Sequence, residues 1–339
     1  MARRPRRPTK RARPLRAPPP GCDPGAIVLT FTVAPEHAGL RLDRFLQRKI
    51  PRLSRTRANR IVRAAAYRED GTLRRPSERV RSGEVVMIVR ERFREPDTPT
   101  SFGVLLEDEL VVVVDKPAGL PVHPSATYHR NTLTYLLRQR YPERTPHLCH
   151  RLDRETSGVV VCARSKDAER ALKRSFERRE VDKSYLAIVR GAPEAAEGLI
   201  ELPIGRPDTG LHLLMTVRED GAPARTRYRV REARGELALL ELSPLTGRQH
   251  QLRVHLAAIG HPIVGDKLYG PEGAAPFLEL IDTGATPELM ARLGHHRHAL
   301  HAHRLRVAHP GGGGRIEIEA PLPPDLAALW ARAASPAAC

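Results

Sequence analysis

The chain has 339 residues, with 57 Lys and Arg against 39 Asp and Glu, giving a formal net charge of +18. Hydrophobic residues make up 40%, enough for ordinary globular cores, so wholesale disorder is excluded and there is room for two modest domains with tails. The charge excess points to a polyanionic partner such as nucleic acid, because each basic group that neutralises a phosphate releases counterions, although high-GC genomes also favour Arg.

Residues 1–22 hold eight of the basic charges, no acid and many prolines, so +10 remains on the rest of the chain. This stretch reads as a disordered arm. It lacks the apolar centre of a secretory signal, and Pro5, Pro8, Pro14 and Pro18 to Pro20 would break the amphipathic helix of a presequence. No apolar run nears the roughly 18 residues that span a bilayer. The expectation is a cytoplasmic protein without a membrane partner, and a monomer by default.

A compact unit is expected over 39–91. Leu40, Leu42, Phe45 and Leu46 recur at helical spacing, and Pro51 interrupts them. Ser54 then suits the N-cap of a second helix made basic by Arg55, Arg57, Arg60 and Arg63. Ser82-Gly83 marks a turn before a strand from Val85 to Val89. Residues 92–103 read as a charged, proline-containing linker, and 104–332 as the larger domain.

That domain opens with an apolar strand from Leu110 to Val114, followed by the loop Lys116-Pro117-Ala118-Gly119. A strand from Val159 to Ala163 leads into a helix capped by Ser165, with Ala168, Leu172 and Phe176 inward. Tyr185 to Val189 is a strand closed by Gly191. Residues 226–232 alternate, with Tyr228 and Val230 on one face and Arg227, Arg229 and Arg231 on the other. Leu237 to Leu242 reads as a buried strand. Thr246 and Gln249 have capping-box spacing for a helix ending at Gly260, with Leu252, Leu256 and Ile259 inward. Gly311 to Gly314 is a loop between strands, lacking the Lys-Ser/Thr of a P-loop. Irregular interleaving of strands and helices predicts an α+β fold with a mixed, largely antiparallel sheet.

Four cysteines, Cys22, Cys149, Cys162 and Cys339, lie too far apart for a zinc ribbon or an evident disulfide framework. The His295 to His303 cluster tempts a metal reading, but Arg297 interrupts it and no acid or Cys adjoins it, so no metal is expected. No Gly-x-Ser-x-Gly elbow or carboxylate cluster supports a hydrolase or a metal-dependent nuclease.

Three segments carry chemistry together: His150-Arg151-Leu152-Asp153, Lys183-Ser184-Tyr185-Leu186, and Thr246-Gly247-Arg248-Gln249-His250-Gln251-Leu252-Arg253-Val254-His255. Each alone has a plainer reading. Asp153 suits a turn, and Tyr185 a half-buried sheet position. Combined, they offer a carboxylate that a guanidinium such as Arg253 can hold ionised, beside an aromatic able to stack on a base or move a proton.

These segments, with Asp115-Lys116-Pro117-Ala118-Gly119-Leu120, Gly265-Asp266-Lys267-Leu268-Tyr269-Gly270 and Leu300-His301-Ala302, resemble the RluA-type RNA pseudouridine synthases over roughly Val112 to Leu322. Residues 39–91 resemble the small αL-type RNA-binding module of that family, with Ala64-Ala65-Ala66-Tyr67 and Asp70-Gly71 where Gly-x-Val and Asn-Gly are usual. The resemblance implies the pseudouridine synthase fold with flanking helices and a central cleft. It implies Asp153, Tyr185 and Arg253 as catalytic residues. Arg151, which helps extrude the target nucleotide, would contact RNA with Arg248, Gln249, His250 and Leu252. It also implies uridine isomerisation in structured RNA, foremost bacterial 23S ribosomal RNA with transfer RNA second. Substrate and product are isomers, so no cofactor is expected. The competing reading is a non-catalytic RNA-binding or ribosome-assembly protein on the same scaffold.

Overall fold

The structure, a computed structural model, describes residues 17–24, 26–50, 53–90, 95–125, 127–208, 211 and 213–333. Most of the expected arm, residues 1–16, lies outside the described residues, as do 91–94 around the start of the linker. The chain forms two compact units, residues 1–95 and 96–339.

In the first unit, β1 (Ile27–Thr32), α1 (Leu42–Lys49), α2 (Arg55–Ala65), β2 (Ala66–Tyr67) and β3 (Val85–Arg90) follow in order. The three strands form an antiparallel sheet ordered β1-β3-β2. The spacing of Leu42, Phe45 and Leu46 explains α1, since all three are fully buried against Val62 of α2 and Val86 of β3. Ser54 caps α2, its hydroxyl accepting from the Arg57 amide at 3.2 Å, and Arg57, Arg60 and Arg63 stay exposed. Asp70-Gly71 makes the turn after β2: the Asp70 carboxylate accepts from the Thr72 amide at 2.9 Å, and Gly71 has φ +86°.

This unit begins earlier than residue 39. β1 pairs with the whole of β3, from Ile27 opposite Arg90 to Thr32 opposite Val85. Cys22 packs on the cluster of Ala26, Val28, Met87 and Val89, and Pro19 is buried. The last residues of the proposed arm therefore cover an apolar face that would otherwise meet water.

The second unit runs β4 (Gly103–Glu107), β5 (Val111–Lys116), α3 (Leu133–Arg140), β6 (His147–Leu148), β7 (Ser157–Ala163), α4 (Lys166–Arg178), β8 (Asp182–Arg190) and β9 (Glu197–Glu201). It continues with β10 (Ile204–Gly205), β11 (Thr216–Val217), β12 (Arg225–Arg234), β13 (Leu237–Pro244), α5 (Gln251–Ala258), α6 (Ala275–Thr283) and α7 (Pro287–Leu293). It closes with β14 (Leu300–Ala308), β15 (Arg315–Glu319) and α8 (Pro324–Arg332). Ten strands share one sheet, ordered β4-β5-β7-β14-β8-β13-β12-β9, with β15 on β14 and β6 on β7. Every pairing is antiparallel except β7 with β14. The predicted α+β class and mixed sheet are what forms. Among the described residues no helix is long and apolar enough to cross a membrane.

The parallel junction of β7 and β14 positions the chemistry. Gly158 stands there with φ +110°, where an added Cβ would lie 2.2 Å from the Ala302 carbonyl oxygen. Only glycine lets β14 approach so closely, and this pins the loop before β7 at the middle of the sheet. Ser165 caps α4 as expected, and Ala168 and Leu172 are buried against Val159 and Val161. Leu237 to Leu242 is less uniformly buried than expected. Ala238, Leu240 and Leu242 are buried, while the alternate residues are partly exposed because the opposite sheet face is open.

The helix after β13 begins at Gln251, so Thr246 is not its N-cap. The Gln251 side chain pre-empts the capping box. Its Oε1 accepts from the Thr246 hydroxyl at 2.7 Å and from the Arg248 amide at 3.0 Å, closing a turn ahead of the helix. His250 takes the cap position in the left-handed region, at φ 55°. The end near Gly260 and the inward Leu252, Leu256 and Ile259 are as the periodicity predicts.

Candidate active site

A cleft of about 930 Å³ opens in the second unit, and Asp153, Tyr185 and Arg253 all line it. Asp153 lies on the connection between β6 and β7, Tyr185 on β8, and Arg253 in the first turn of α5. One Asp153 carboxylate oxygen accepts from Arg253 Nη1 at 3.2 Å, and the side chain keeps 27% of its exposure. The carboxylate is thus half-sheltered and open to the cleft.

Arg253 is itself gripped from behind. Asp266 takes its Nε at 2.6 Å and its Nη2 at 2.8 Å, while the guanidinium lies 5.0 Å from the Tyr269 ring centroid. Asp266 is fully buried and also accepts from the Leu268 and Tyr269 amides. Burial would raise its pKa, but Arg253 and those amides outweigh that and hold it below the ordinary carboxylate range. Burial likewise works against the charged Arg253, and the paired carboxylates reverse it, raising its pKa. The two-point clamp leaves Nη1 for Asp153, which is how one guanidinium serves two acids.

Asp266 is the residue beside Arg253 that sequence reasoning missed. Its signal was the neighbouring Gly265, which has φ +77° and whose added Cβ would fall 2.0 Å from the Arg297 carbonyl oxygen. Such a glycine marks a backbone pressed against another segment.

Tyr185 sits where three strands meet, opposite Leu242 of β13 and Ala302 of β14. Burial, and then the Asp153 charge, push its phenol well above the usual range, so the hydroxyl stays protonated at neutral pH. A neutral phenol suits packing on a base and hydrogen bonding better than it suits an unaided general base.

His250 also reaches the pair. Its Nε2 is 3.9 Å from the Asp153 carboxylate and its Nδ1 is 2.7 Å from the Tyr269 hydroxyl. Burial lowers its pKa, against the pull of Asp153. Arg151 is exposed at the cleft and makes no ion pair among the described residues. Arg248 lines the cleft but donates to the Pro223 carbonyl at 3.1 Å. Gln249 is exposed, with its amide 3.4 Å from the Leu213 carbonyl. Leu252 differs in kind, being 7% exposed and part of the core beneath the cleft.

The loop carrying Asp153 is fastened on both flanks. Lys116, fully buried, donates to the carbonyls of Pro117 at 2.9 Å, Leu120 at 3.0 Å and Arg154 at 3.1 Å. Burial lowers its pKa to about 7, partly opposed by Asp153 and Asp115. On the other flank, Lys267 donates to both oxygens of Glu155 at 3.0 Å, and the Thr156 hydroxyl bonds His298 Nε2 at 2.8 Å.

The histidine cluster meets an acid after all, from another element. Asp325 in α8 lies 3.3 Å from His295 and 3.7 Å from His296. Arg297, however, occupies both of its oxygens, at 2.6 and 3.0 Å, which gives the carboxylate a fixed cationic partner. His301 is buried, bonding the Ser157 hydroxyl and the Ala320 carbonyl.

The profile of the RNA pseudouridylate synthase family matches residues 110–258, which include all three catalytic candidates. A ribosomal large subunit pseudouridine synthase D of Xanthomonas campestris pv. campestris is 40% identical over 310 residues, covering 89% of this chain and 91% of that protein. A protein of the same description from Nitrosomonas europaea is 36% identical, covering 89% of this chain and 86% of its own length. Among solved structures, human RNA pseudouridylate synthase domain containing 4 aligns with a TM-score of 0.54 and 30% identity, over 68% of this chain and 92% of that one.

Proposed function

The chain belongs to the RluA-type RNA pseudouridine synthases, and from that premise we propose that it isomerises specific uridines of bacterial large-subunit ribosomal RNA with Asp153 as its catalytic carboxylate. The observation that carries the assignment is the 3.2 Å contact between Asp153 and an Arg253 held by Asp266 at the mouth of a cleft. The large-subunit target rests on the two bacterial relatives, both described by that substrate.

The target nucleoside must leave its stack, at a cost of a few kcal/mol, and Arg151, exposed and lining the cleft, is assigned to fill the vacated position. Asp153 then works on the ribose, either attacking C1′ as the N1–C1′ bond breaks or removing the C2′ proton. Both routes need a carboxylate aimed at the ribose, and the 3.2 Å contact with Arg253 fixes that orientation. The freed uracil turns against Tyr185 and C5 joins C1′, displacing the Asp153 carboxylate on the first route or with the C2′ proton returned on the second; C5 then loses its proton and N1 takes one up. Arg248, Gln249 and His250, on the turn before α5, face the same space and are assigned to the RNA. Leu252 supports them from the core. The first unit, which contains the residue 39–91 module with its basic α2 and extends back through β1, is assigned to RNA binding, residues 92–103 to a linker and 104–332 to catalysis. We place the protein in the cytoplasm as a monomer.

The test is Asp153→Asn assayed on unmodified large-subunit ribosomal RNA tritiated at uridine C5. Tritium release should vanish while RNA affinity stays within about threefold, because the amide keeps the shape and loses the charge. Measurable pseudouridine from that variant would overturn the role of Asp153.

A further inference from the structure

The open face of the sheet, outside the catalytic cluster, carries two arginines at the ends of one four-strand rung, with a third two residues on. Arg304 of β14 pairs with Ser184 of β8, and Arg227 of β12 pairs with Ser243 of β13. Leu242 pairs with Tyr185, so Ser184 and Ser243 fall on the next rung and complete a line across four strands. At the spacing of sheet strands the line spans about 14 Å. Arg306 lies two residues beyond Arg304 on the same strand. Arg227, Arg304 and Arg306 are all exposed, and all line the cleft that holds Asp153.

Their electrostatics separate them from an ordinary solvated face. Glu241, two rungs away and 13% exposed, accepts from the Ser184 hydroxyl at 2.6 Å, pairs with Arg231, and lies 3.5 Å from Arg304. One acid is thus shared by two guanidiniums and a hydroxyl, and it sets where those guanidiniums stand. Arg306 reaches Glu317 only at 3.7 Å. Arg227 makes no ion pair among the described residues, although it stands near the start of a charged strand. The lining of the cleft as a whole has eight Lys and Arg against four Asp and Glu. Two of the three guanidiniums meet a carboxylate only at 3.5 and 3.7 Å and Arg227 meets none among the described residues, so a polyanion lying along them would release counterions.

We propose that Arg227, Arg304 and Arg306 form a seat for the phosphates of the RNA strand flanking the everted uridine, reached from the open sheet face. This rests on the proposed activity and names the surface that positions its substrate. The seat reads backbone, not bases: phosphate contacts set register and carry no sequence information. Its job is to offset the cost of eversion by holding the neighbouring nucleotides while one leaves the stack.

Arg227 is the cleanest probe, since its exposed side chain has no carboxylate to orphan. The experiment compares the full chain with Arg227→Glu and Arg227→Lys on an unmodified large-subunit ribosomal RNA transcript, with Kd measured across a salt series beside tritium-release kinetics. Arg227→Glu should raise Kd and KM about tenfold and reduce the slope of log K against log salt by about 0.7 to 1, the share of one phosphate contact. The loss should spare kcat at saturating RNA, and Arg227→Lys should recover most of the affinity. An unchanged Kd and salt slope for Arg227→Glu, with parental turnover intact, would overturn the seat and leave these arginines to an acidic protein surface. If the parental chain binds the transcript with an Arg227-dependent slope but makes no pseudouridine, the seat stands and the proposed target falls.

Discussion

Lys267 donates to both carboxylate oxygens of Glu155, while its sequence neighbour Asp266 clamps Arg253. Two adjacent residues thereby hold the two sides of the Asp153–Arg253 contact, one through the loop and one through the guanidinium. Lys267 is buried and Glu155 mostly so, hence removing one partner strands a charge. Lys267→Met should cost about 3 kcal/mol of stability by urea unfolding. The double variant with Glu155→Gln should recover much of it. A single variant within about 0.5 kcal/mol of the parent would mean that the pair does not hold the loop.

Asp266→Asn keeps the side-chain shape but removes the charge that orients the guanidinium, and its NH2 replaces the acceptor that meets Arg253 Nε. Freed of its stronger partner, Arg253 should close on Asp153 and turn the carboxylate from the cleft. The expected result is a fall in kcat of roughly 100-fold, the scale of a lost orienting or electrostatic group, with KM changed less than threefold. Equal losses in both constants would place Asp266 in RNA binding instead.

Tyr185→Phe removes only the hydroxyl. Since the phenol is held protonated by burial and by the nearby carboxylate, it acts by hydrogen bonding or in a relay and not as a standing phenolate. The variant should keep RNA affinity and lose at least tenfold in tritium release, a typical share for one proton-transfer group. Full turnover would reduce Tyr185 to a stacking surface.

Stability should decline in mild acid through buried neutral histidines. The pKa of His301 is lowered to about 4 and that of His150 to about 3, chiefly by burial. In the His150 case Nε2 accepts from the Val161 amide at 3.0 Å, a bond that protonation there would break. Below the unfolded value of 6.5 the unfolded chain binds these protons and the folded chain does not. The stabilisation is therefore complete above pH 6.5 and is lost as pH falls toward 4. By pH 5 the loss is roughly 2 kcal/mol per histidine. Thermal midpoints measured in pH steps should fall over that window, and a flat profile from pH 7 to about 4.5 would contradict the assignment.

Much of this arrangement is legible in the sequence because its key groups sit at element ends. Asp153 precedes an unbroken apolar run, and Tyr185 lies in an apolar strand, so pattern alone puts both at a sheet. What escapes is contact between distant segments. Asp266 is a solitary acid in a loop, and no periodicity links it to Arg253. The start of α5 misleads because the Gln251 side chain satisfies the turn that Thr246 and Gln249 would otherwise cap. Strand β1 lies upstream of the helical spacing at Leu40 to Leu46 that marked the first unit, and only its pairing with β3 reveals it. Asp325 reaches the histidine cluster from another helix, a meeting that only the fold could produce.

The ammonium of Lys116, encircled by three carbonyls drawn from both walls, acts as an internal rivet between the 117–120 loop and the segment bearing Asp153. Swinging that segment aside would leave the Lys116 amino group without its acceptors in a dry interior, which opposes widening of the cleft there. Deformation on binding should then fall on the RNA, and substrates whose uridine is already loosely stacked should be handled fastest.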